Sequence, residues 1–142
     1  MVYTIGYSKW TVEAVCAKMD ELGVDLLADV RSRPYGRFHP KFNRPELEKA
    51  FGARYRWMGA TLGGKPGPAT EEGIEWLIAE HEKGSTLLIL CVEMDPRNCH
   101  RLIDIGARLL ARGLDAIHLI HDGTQRTTNA LLQMPARPER IL

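Results

Sequence analysis

The chain has 142 residues, of which 44% are hydrophobic and 26% are charged, and its formal net charge is +1 at pH 7. These values fit a single domain over residues 1–142 and argue against a disordered chain. No run of about 18 apolar residues occurs, and the first residues lack the basic and apolar regions of a signal peptide. We therefore expect a cytoplasmic protein without a membrane partner.

Apolar runs alternate with helix signals along the first half of the chain, beginning with a strand over residues 2–6. Thr11 is a typical N-cap for a helix through Leu22, and Gly23 suits the position just past its C-terminus. Proline and glycine then interrupt the pattern and predict long loops. The elements that follow are a strand over 24–30, a loop over 31–44, a short helix over 45–51, a short strand over 55–58 and a loop over 59–69.

The second half of the chain continues this alternation. Thr70 begins a helix that ends near Gly84, and residues 86–92 form the most apolar strand. Because its apolar side chains are continuous, we expect both faces of this strand to be buried. A helix over 98–112, a strand over 116–120 and a short helix within 124–134 follow. The alternation predicts a three-layer α/β/α domain with a mostly parallel sheet of about five strands.

Polar residues follow several predicted strands at the point where each strand ends. Ligands bind beyond the carboxyl ends of parallel strands, so we expect these side chains to line one cleft. They are Ser8, Asp29, Arg31, Glu93 and Arg101. The candidate catalytic residues are Asp29 and Glu93 as acid or base, Cys91 and Cys99 as nucleophile or activated thiol, and His100. The candidate substrate-binding residues are Tyr7, Ser8, Arg31, Arg33, Arg37 and Arg101.

Charge is unevenly distributed along the chain. Residues 31–56 carry eight basic and two acidic side chains, whereas residues 71–82 carry five acidic side chains and no lysine or arginine. A basic segment attracts anions, and arginine suits phosphate and carboxylate groups. The alternative is that both segments are solvated faces that attract each other.

Two functions fit these features. The first is an enzyme that acts on an anionic, nucleotide- or nucleic-acid-derived substrate at the C-terminal edge of the sheet. The second is a nucleic-acid-binding module in which the basic and aromatic residues of 31–57 hold the nucleic acid and the cysteines are structural. The expected partner is thus an anionic small molecule or a nucleic acid, and the sequence assigns neither a cofactor nor an oligomeric state.

The segment around Cys91 contains the C-x5-R spacing of cysteine phosphatases, with Arg97 as the arginine. In those enzymes the loop amides surround a phosphate beside the thiolate. Glu93 and Asp95 stand inside this loop. Because two carboxylates repel a bound dianion, we regard phosphatase chemistry as the weaker interpretation.

The two cysteines of this segment have different predicted environments. Cys99 falls in the first turn of the predicted helix, where amide dipoles lower a thiol pKa. Cys91 ends a buried strand, so we expect it to be inert. A metal site built from Cys91, Cys99, His100 and His121 matches no strong ligand spacing, and we assign no metal.

Several of these segments recur together in one known family. They are Thr4-Ile5-Gly6-Tyr7-Ser8, Asp29-Val30-Arg31-Ser32-Arg33-Pro34, Leu62-Gly63-Gly64, the Cys91-x-Glu93-x5-Cys99-His100-Arg101 block and His118. In their order and spacing the chain resembles, over residues 2–121, the family catalogued as domain of unknown function 488. The family pattern commonly has His in place of Tyr7 and Ser in place of Gly36. The resemblance implies a small cytosolic prokaryotic α/β protein and no assigned reaction.

Overall fold

The strands of the protein form one six-stranded sheet, seen here in a computed structural model that describes residues 1–134. They are β1 (Val2–Gly6), β2 (Leu26–Asp29), β3 (Tyr55–Trp57), β4 (Leu87–Cys91), β5 (Ile117–Leu119) and β6 (Gln125–Thr127). Their order across the sheet is β3-β2-β4-β1-β5-β6. Strand β6 pairs antiparallel with β5, and the other pairs are parallel. The predicted α/β fold with a mostly parallel sheet is confirmed, while the predicted domain beyond residue 134 lies outside the described residues.

Helices lie between and after the strands, and two of them begin at the N-caps predicted from the sequence. They are α1 (Val12–Leu22), α2 (Arg44–Phe51), α3 (Gly59–Leu62), α4 (Glu71–Glu82), α5 (Ala107–Ala111) and α6 (Thr128–Leu132). The Thr11 hydroxyl accepts a hydrogen bond from the backbone N–H of Ala14, and Gly23 ends α1 with a φ of +66°. The Thr70 hydroxyl caps α4 in the same way. Within residues 1–134, no helix combines the length and the apolar character needed to cross a bilayer.

Both faces of the sheet are buried under helices. Along β4, Leu88 and Leu90 belong to a core cluster that includes residues of α1 and α2. Leu87 and Ile89 belong to a second cluster that includes residues of α4 and α5. The alternation of β4 between two cores explains why its sequence is apolar throughout, and it produces the three predicted layers.

The region after β4 differs from the predicted helix over 98–112. A short 3-10 turn over Pro96–Asn98 comes first, and a π-helical segment over Arg101–Gly106 leads into α5. The Asp95 carboxylate accepts from the backbone N–H of Arg97 and closes the turn. Cys99 follows this turn with extended backbone angles, φ −130° and ψ 143°. Cys99 therefore lies directly before the helical segment and not in its first turn as predicted, and its carbonyl accepts the first helical hydrogen bonds, from Leu102 and Ile103.

Two further elements were not predicted, namely α3 inside the loop over 59–69 and the edge strand β6. Strand β6 extends the sheet to six strands.

Gly6, the last residue of β1, lies very close to the segment that follows β4. A Cβ atom on Gly6 would collide with the carbonyl of Glu93. Glycine at this position therefore allows the chain leaving β4 to cross close to β1. The carboxyl ends of β1, β2 and β4 are neighbours and form the base of the site.

Candidate active-site cleft

A cleft of about 1000 Å³ opens near the ends of β2 and β4. Three segments of the chain line it, and they comprise Arg31, Ser32, Arg33, Gly64, Lys65, Pro66, Cys91, Val92 and His100. Ser32 ties two of them together, because its hydroxyl donates to the Lys65 carbonyl at 3.0 Å and accepts from the Lys65 N–H at 3.1 Å. The lining combines three cations, Arg31, Arg33 and Lys65 (the cationic wall), with the thiol of Cys91 and the imidazole of His100 (the thiol–imidazole wall).

Asp29 holds the Arg31 side chain in place from below the cleft. The guanidinium donates from Nε to Oδ1 at 2.8 Å and from Nη2 to Oδ2 at 2.7 Å. Tyr55 donates its hydroxyl to the same carboxylate at 2.5 Å. Asp29 is completely buried. Its carboxylate is thus committed to these partners and positions Arg31, and it does not reach the cleft as an acid or base.

The charge state of this group follows from its contacts. Burial lowers the pKa of Arg31, but the hydrogen bonds and the charge of Asp29 outweigh that effect and raise it. Burial and the neighbouring Asp29 also raise the pKa of Tyr55. The Nη1 group of Arg31 donates to the hydroxyl of Tyr7 at 3.3 Å, and Tyr7 stacks on Phe42. Arg31 therefore presents a fixed positive charge on a rigid support.

Cys91, Cys99 and His100 form a compact cluster, of which Cys91 and His100 line the cleft. The two sulfur atoms are 3.0 Å apart, and Nδ1 of His100 lies 3.9 Å from Sγ of Cys91 and 3.8 Å from Sγ of Cys99. The Nε2 atom of His100 lies 3.1 Å from the carbonyl oxygen of Leu62. A carbonyl only accepts, so Nε2 carries a proton and the lone pair of a neutral ring lies on Nδ1.

The cluster divides its charge unequally between the sulfurs. The hydrogen bond from Cys99 lowers the pKa of Cys91 to about 4 against the opposing effect of burial, and His100 adds to the lowering. The pKa of Cys99 is raised by its hydrogen bond to Cys91 and by burial. Burial lowers the pKa of His100, but the hydrogen bond and charge of Cys91 raise it overall. The order predicted for the two thiols is thus reversed.

Arg101 lies beneath the site in a buried polar network. Its Nη1 donates to Thr4 Oγ1 at 2.6 Å, and the Thr4 hydroxyl is 2.5 Å from Nδ1 of His118. Nε2 of His118 is 2.7 Å from Thr128 Oγ1. Because Arg101 donates to Thr4, the Thr4 hydroxyl donates onward to Nδ1, and His118 donates from Nε2 to Thr128. This network is structural, and burial lowers the pKa of Arg101.

The structure brings together some of the predicted site residues and separates others. Arg31, Arg33, Cys91 and His100 line the cleft. The predicted residues outside its lining are Tyr7, Ser8, Asp29, Arg37, Glu93, Cys99 and Arg101. The expectation that one cleft is lined by Ser8, Asp29, Arg31, Glu93 and Arg101 therefore holds for Arg31 alone. Arg101 is fully buried and donates from Nη2 to the carbonyls of Glu93 and Met94, so its guanidinium faces the protein interior.

Two alternatives weighed for this segment, the phosphatase loop and a metal site that includes His121, do not match the side-chain positions. Arg97 lies 3.5 Å from the Asp95 carboxylate and lines a different, smaller cavity of about 220 Å³. The C-x5-R phosphatase loop is therefore not formed. His121 lines that same smaller cavity, whereas Cys91, Cys99 and His100 alone form the cluster of possible metal ligands among residues 1–134.

Sequence reasoning missed Ser32 and Lys65 as cleft residues. A signal for Lys65 was present, because it directly follows the glycine pair Gly63-Gly64. A Cβ atom on Gly64 would lie 3.1 Å from the ring of His100. The glycine thus lets the loop approach the imidazole closely and places Lys65 beside it. The sequence spacing between this loop and the segment after β4 does not predict their contact, because the tertiary fold alone brings them together.

Comparison with known proteins gives a family and no function. The family model described as "Domain of unknown function DUF488" matches residues 11–68, which confirms the predicted family assignment. The matched segment contains the cationic wall of the cleft, and the Cys91–Arg101 block lies outside it. No curated protein and no solved structure matches the chain.

Proposed function

We propose that the protein is a cytoplasmic enzyme that acts on an anionic, nucleotide- or nucleic-acid-derived substrate in this cleft. The observation that carries the proposal is the juxtaposition of Arg31, Arg33 and Lys65 with Cys91 and His100 around one cavity. Cationic groups that converge on a reactive side chain are the usual arrangement of a site for a charged substrate.

The cationic wall binds the anion. Arg31 is held by two hydrogen bonds to Asp29 and loses little side-chain freedom when a ligand arrives. Arg33 and Lys65 are exposed, and no ion pair involves either of them within the described part of the chain. Their charges are thus available to a phosphate or carboxylate group.

The thiol–imidazole wall supplies the reactive groups. The cleft lining contains no Asp or Glu among the described residues, so we assign the reactive roles to Cys91 and His100 in place of Asp29 and Glu93. The Glu93 side chain instead accepts from the backbone N–H of Asp95 at 3.1 Å. Thiol and imidazole groups act on a bound substrate as nucleophile and proton carrier, or as ligands of a metal ion.

The size and surroundings of the cleft favour a nucleotide over a small inorganic anion. Its volume of about 1000 Å³ suits a ligand larger than phosphate. The loop that carries Arg33 continues into Tyr35 and Phe38, which are 63% and 86% exposed. Exposed aromatic rings beside arginines stack on nucleobases. Phosphate recognition in the cleft and base recognition along this loop are therefore compatible.

Calorimetric titration with the four nucleoside 5′-monophosphates and the matching nucleosides tests the proposal. We expect binding that requires the phosphate group and that falls at least tenfold in the double variant Arg33→Ala/Lys65→Ala. Lys49→Ala is the matched control, because Lys49 is an exposed cation that lies near Glu46 outside the cleft lining. Absence of phosphate-dependent binding, or equal loss in the control, would overturn the proposal.

A nucleic-acid-binding module is the second candidate, and the exposure of Tyr35 and Phe38 favours it. A shallow cavity of about 330 Å³ lies beside Tyr35 and Lys41. Much of the basic stretch over 31–57 is used within the protein, however. Arg44 pairs with Glu48, and Arg54 pairs with Asp20. The loop over 33–41 carries the exposed aromatic rings of this stretch, so the nucleic-acid surface of this candidate centres on it.

A further inference from the structure

We infer that Cys91, Cys99 and His100 form a binding site for a zinc ion, with one coordination position open to the cleft. Each residue contributes one donor atom, and the three donor atoms lie within 4.8 Å of one another. Two thiolates and an imidazole are the ligand types that zinc prefers. The catalytic use of the ion rests on the function proposed above, whereas its binding does not.

The distances between the donor atoms suit tetrahedral coordination. Zn–S bonds of about 2.3 Å and Zn–N bonds of about 2.0 Å place two sulfurs roughly 3.8 Å apart and a sulfur and a nitrogen roughly 3.6 Å apart. The two sulfur–nitrogen distances here are 3.8 and 3.9 Å. The sulfur–sulfur distance is 3.0 Å and has to increase by about 0.8 Å when the ion binds.

His100 is oriented as a metal ligand before any ion arrives. Its Nε2–H donates to the Leu62 carbonyl at 3.1 Å, which leaves the Nδ1 lone pair facing the two sulfurs. Metal-binding histidines almost always donate their second ring N–H to a carbonyl or carboxylate in this way. The close approach of Gly64 to the ring limits its movement. The tautomer and the direction of the imidazole are thus both fixed for coordination.

The charge of the loaded cluster suits its buried position. Cys91 and Cys99 are both buried. Two thiolates and Zn²⁺ together carry no net charge, so the loaded cluster fits a buried position close to the guanidinium of Arg101.

The fourth position of the ion faces the substrate. Cys91 and His100 line the cleft, whereas Cys99 is buried and outside the lining. Three protein ligands and one open position are typical of catalytic zinc, and structural zinc sites have four protein ligands. The open position is thus available to water or to a substrate atom held against the cationic wall.

Titration of the reduced, metal-free protein with Co²⁺ and Zn²⁺ tests this inference. We expect one Co²⁺ per chain, with the thiolate-to-cobalt absorption of a tetrahedral site, and displacement by Zn²⁺. The affinity for Co²⁺ should fall in Cys99→Ser and in His100→Gln. The fall should exceed the 10–100-fold that is typical when a residue supporting a metal ligand is replaced. Cys16→Ser is the matched control, because Cys16 lies in α1 and is not part of the cluster.

A second measurement on the unaltered protein covers the case in which a variant fails to fold. One equivalent of Zn²⁺ should protect two of the three thiols from a thiol reagent. The inference is overturned if no cobalt–thiolate absorption develops, or if Zn²⁺ leaves Cys91 and Cys99 as reactive as they are in the metal-free protein. Nucleotide titration of the same metal-free protein separates the two proposals, since lost anion binding with intact Co²⁺ binding contradicts the function and leaves the metal site standing.

Discussion

Cys91 and Cys99 place their sulfur atoms 3.0 Å apart, yet Cys91 lines the cleft and Cys99 is buried outside its lining. The difference arises from the backbone. Cys91 is the last residue of β4, at the edge of the sheet where the cleft opens, and Cys99 returns beside it after a 3-10 turn. Both cysteines are buried, at 8% and 5% exposure, but only Cys91 borders the cleft and any ligand bound there.

This arrangement predicts the order of thiol modification. In reduced, metal-free protein, iodoacetamide should modify Cys91 before Cys99, because the reagent reaches Cys91 through the cleft. Peptide mass spectrometry over a time course measures both rates, with Cys16 of α1 as an internal reference. Faster modification of Cys99 than of Cys91 would contradict the placement of the two thiols.

The sequence predicts the fold better than it predicts the site. Helix caps such as Thr11 and Thr70 and the apolar run of β4 are local signals, and each leads to the observed element. The cleft joins residues far apart in the chain, such as Ser32 and Lys65, whose contact no local pattern reports. Polarity at a strand end also fails to distinguish a cleft residue from one that is buried and bonded within the protein, such as Arg101.

The Asp29–Arg31 pair should be essential for stability as well as for anion binding. Replacing Asp29 with Ala leaves the Arg31 guanidinium buried without its partner, which costs about 3–5 kcal/mol for a buried pair. Urea denaturation measures the free energy of unfolding. The exposed pair of Glu46 and Lys49 provides the control, since Glu46→Ala should cost at most about 1 kcal/mol. Equal losses of the free energy of unfolding in Asp29→Ala and Glu46→Ala would contradict a buried ion pair between Asp29 and Arg31.

His118 predicts a dependence of stability on acid pH. Burial, and then the charge of Arg101, lowers the pKa of His118 to about 3, whereas an unfolded histidine has a pKa of about 6.5. Between these values the unfolded chain binds a proton that the folded protein does not. The contribution of His118 is therefore present above pH 6.5 and is lost as the pH falls toward 3, by up to about 1.4 kcal/mol per pH unit.

NMR of the histidine rings checks this directly, alongside denaturation curves between pH 7 and pH 4. The ring of His118 should stay neutral across this range, with its proton on Nε2 as the bonds to Thr4 and Thr128 require. A His118 ring that titrates near pH 6.5 in the folded protein would show that the buried network is not formed as described.

The exposed aromatic residues distinguish the two candidate functions. If the cleft is the site of an enzyme, Tyr35→Ala/Phe38→Ala should leave unchanged the ratio of the affinity for a nucleoside 5′-monophosphate to the affinity for the matching nucleoside. If the loop over 33–41 is a nucleic-acid surface, the same variant should weaken binding of a single-stranded oligonucleotide by roughly 1–3 kcal/mol per lost stacking partner. Fluorescence anisotropy at several salt concentrations measures the mononucleotide and the oligonucleotide affinities. If the cysteines are structural, the variant Cys99→Ser should leave the oligonucleotide affinity unaltered.

The central claim is that an anion bound at Arg31, Arg33 and Lys65 lies directly against Cys91. The most direct test is the rate of Cys91 alkylation in metal-free protein with and without the nucleoside 5′-monophosphate that binds most tightly. Saturating ligand should slow the modification of Cys91 and leave that of Cys16 unchanged, and Arg33→Ala/Lys65→Ala should abolish the protection. A ligand that binds while Cys91 reacts at its original rate would place the anion elsewhere and contradict the proposed active site.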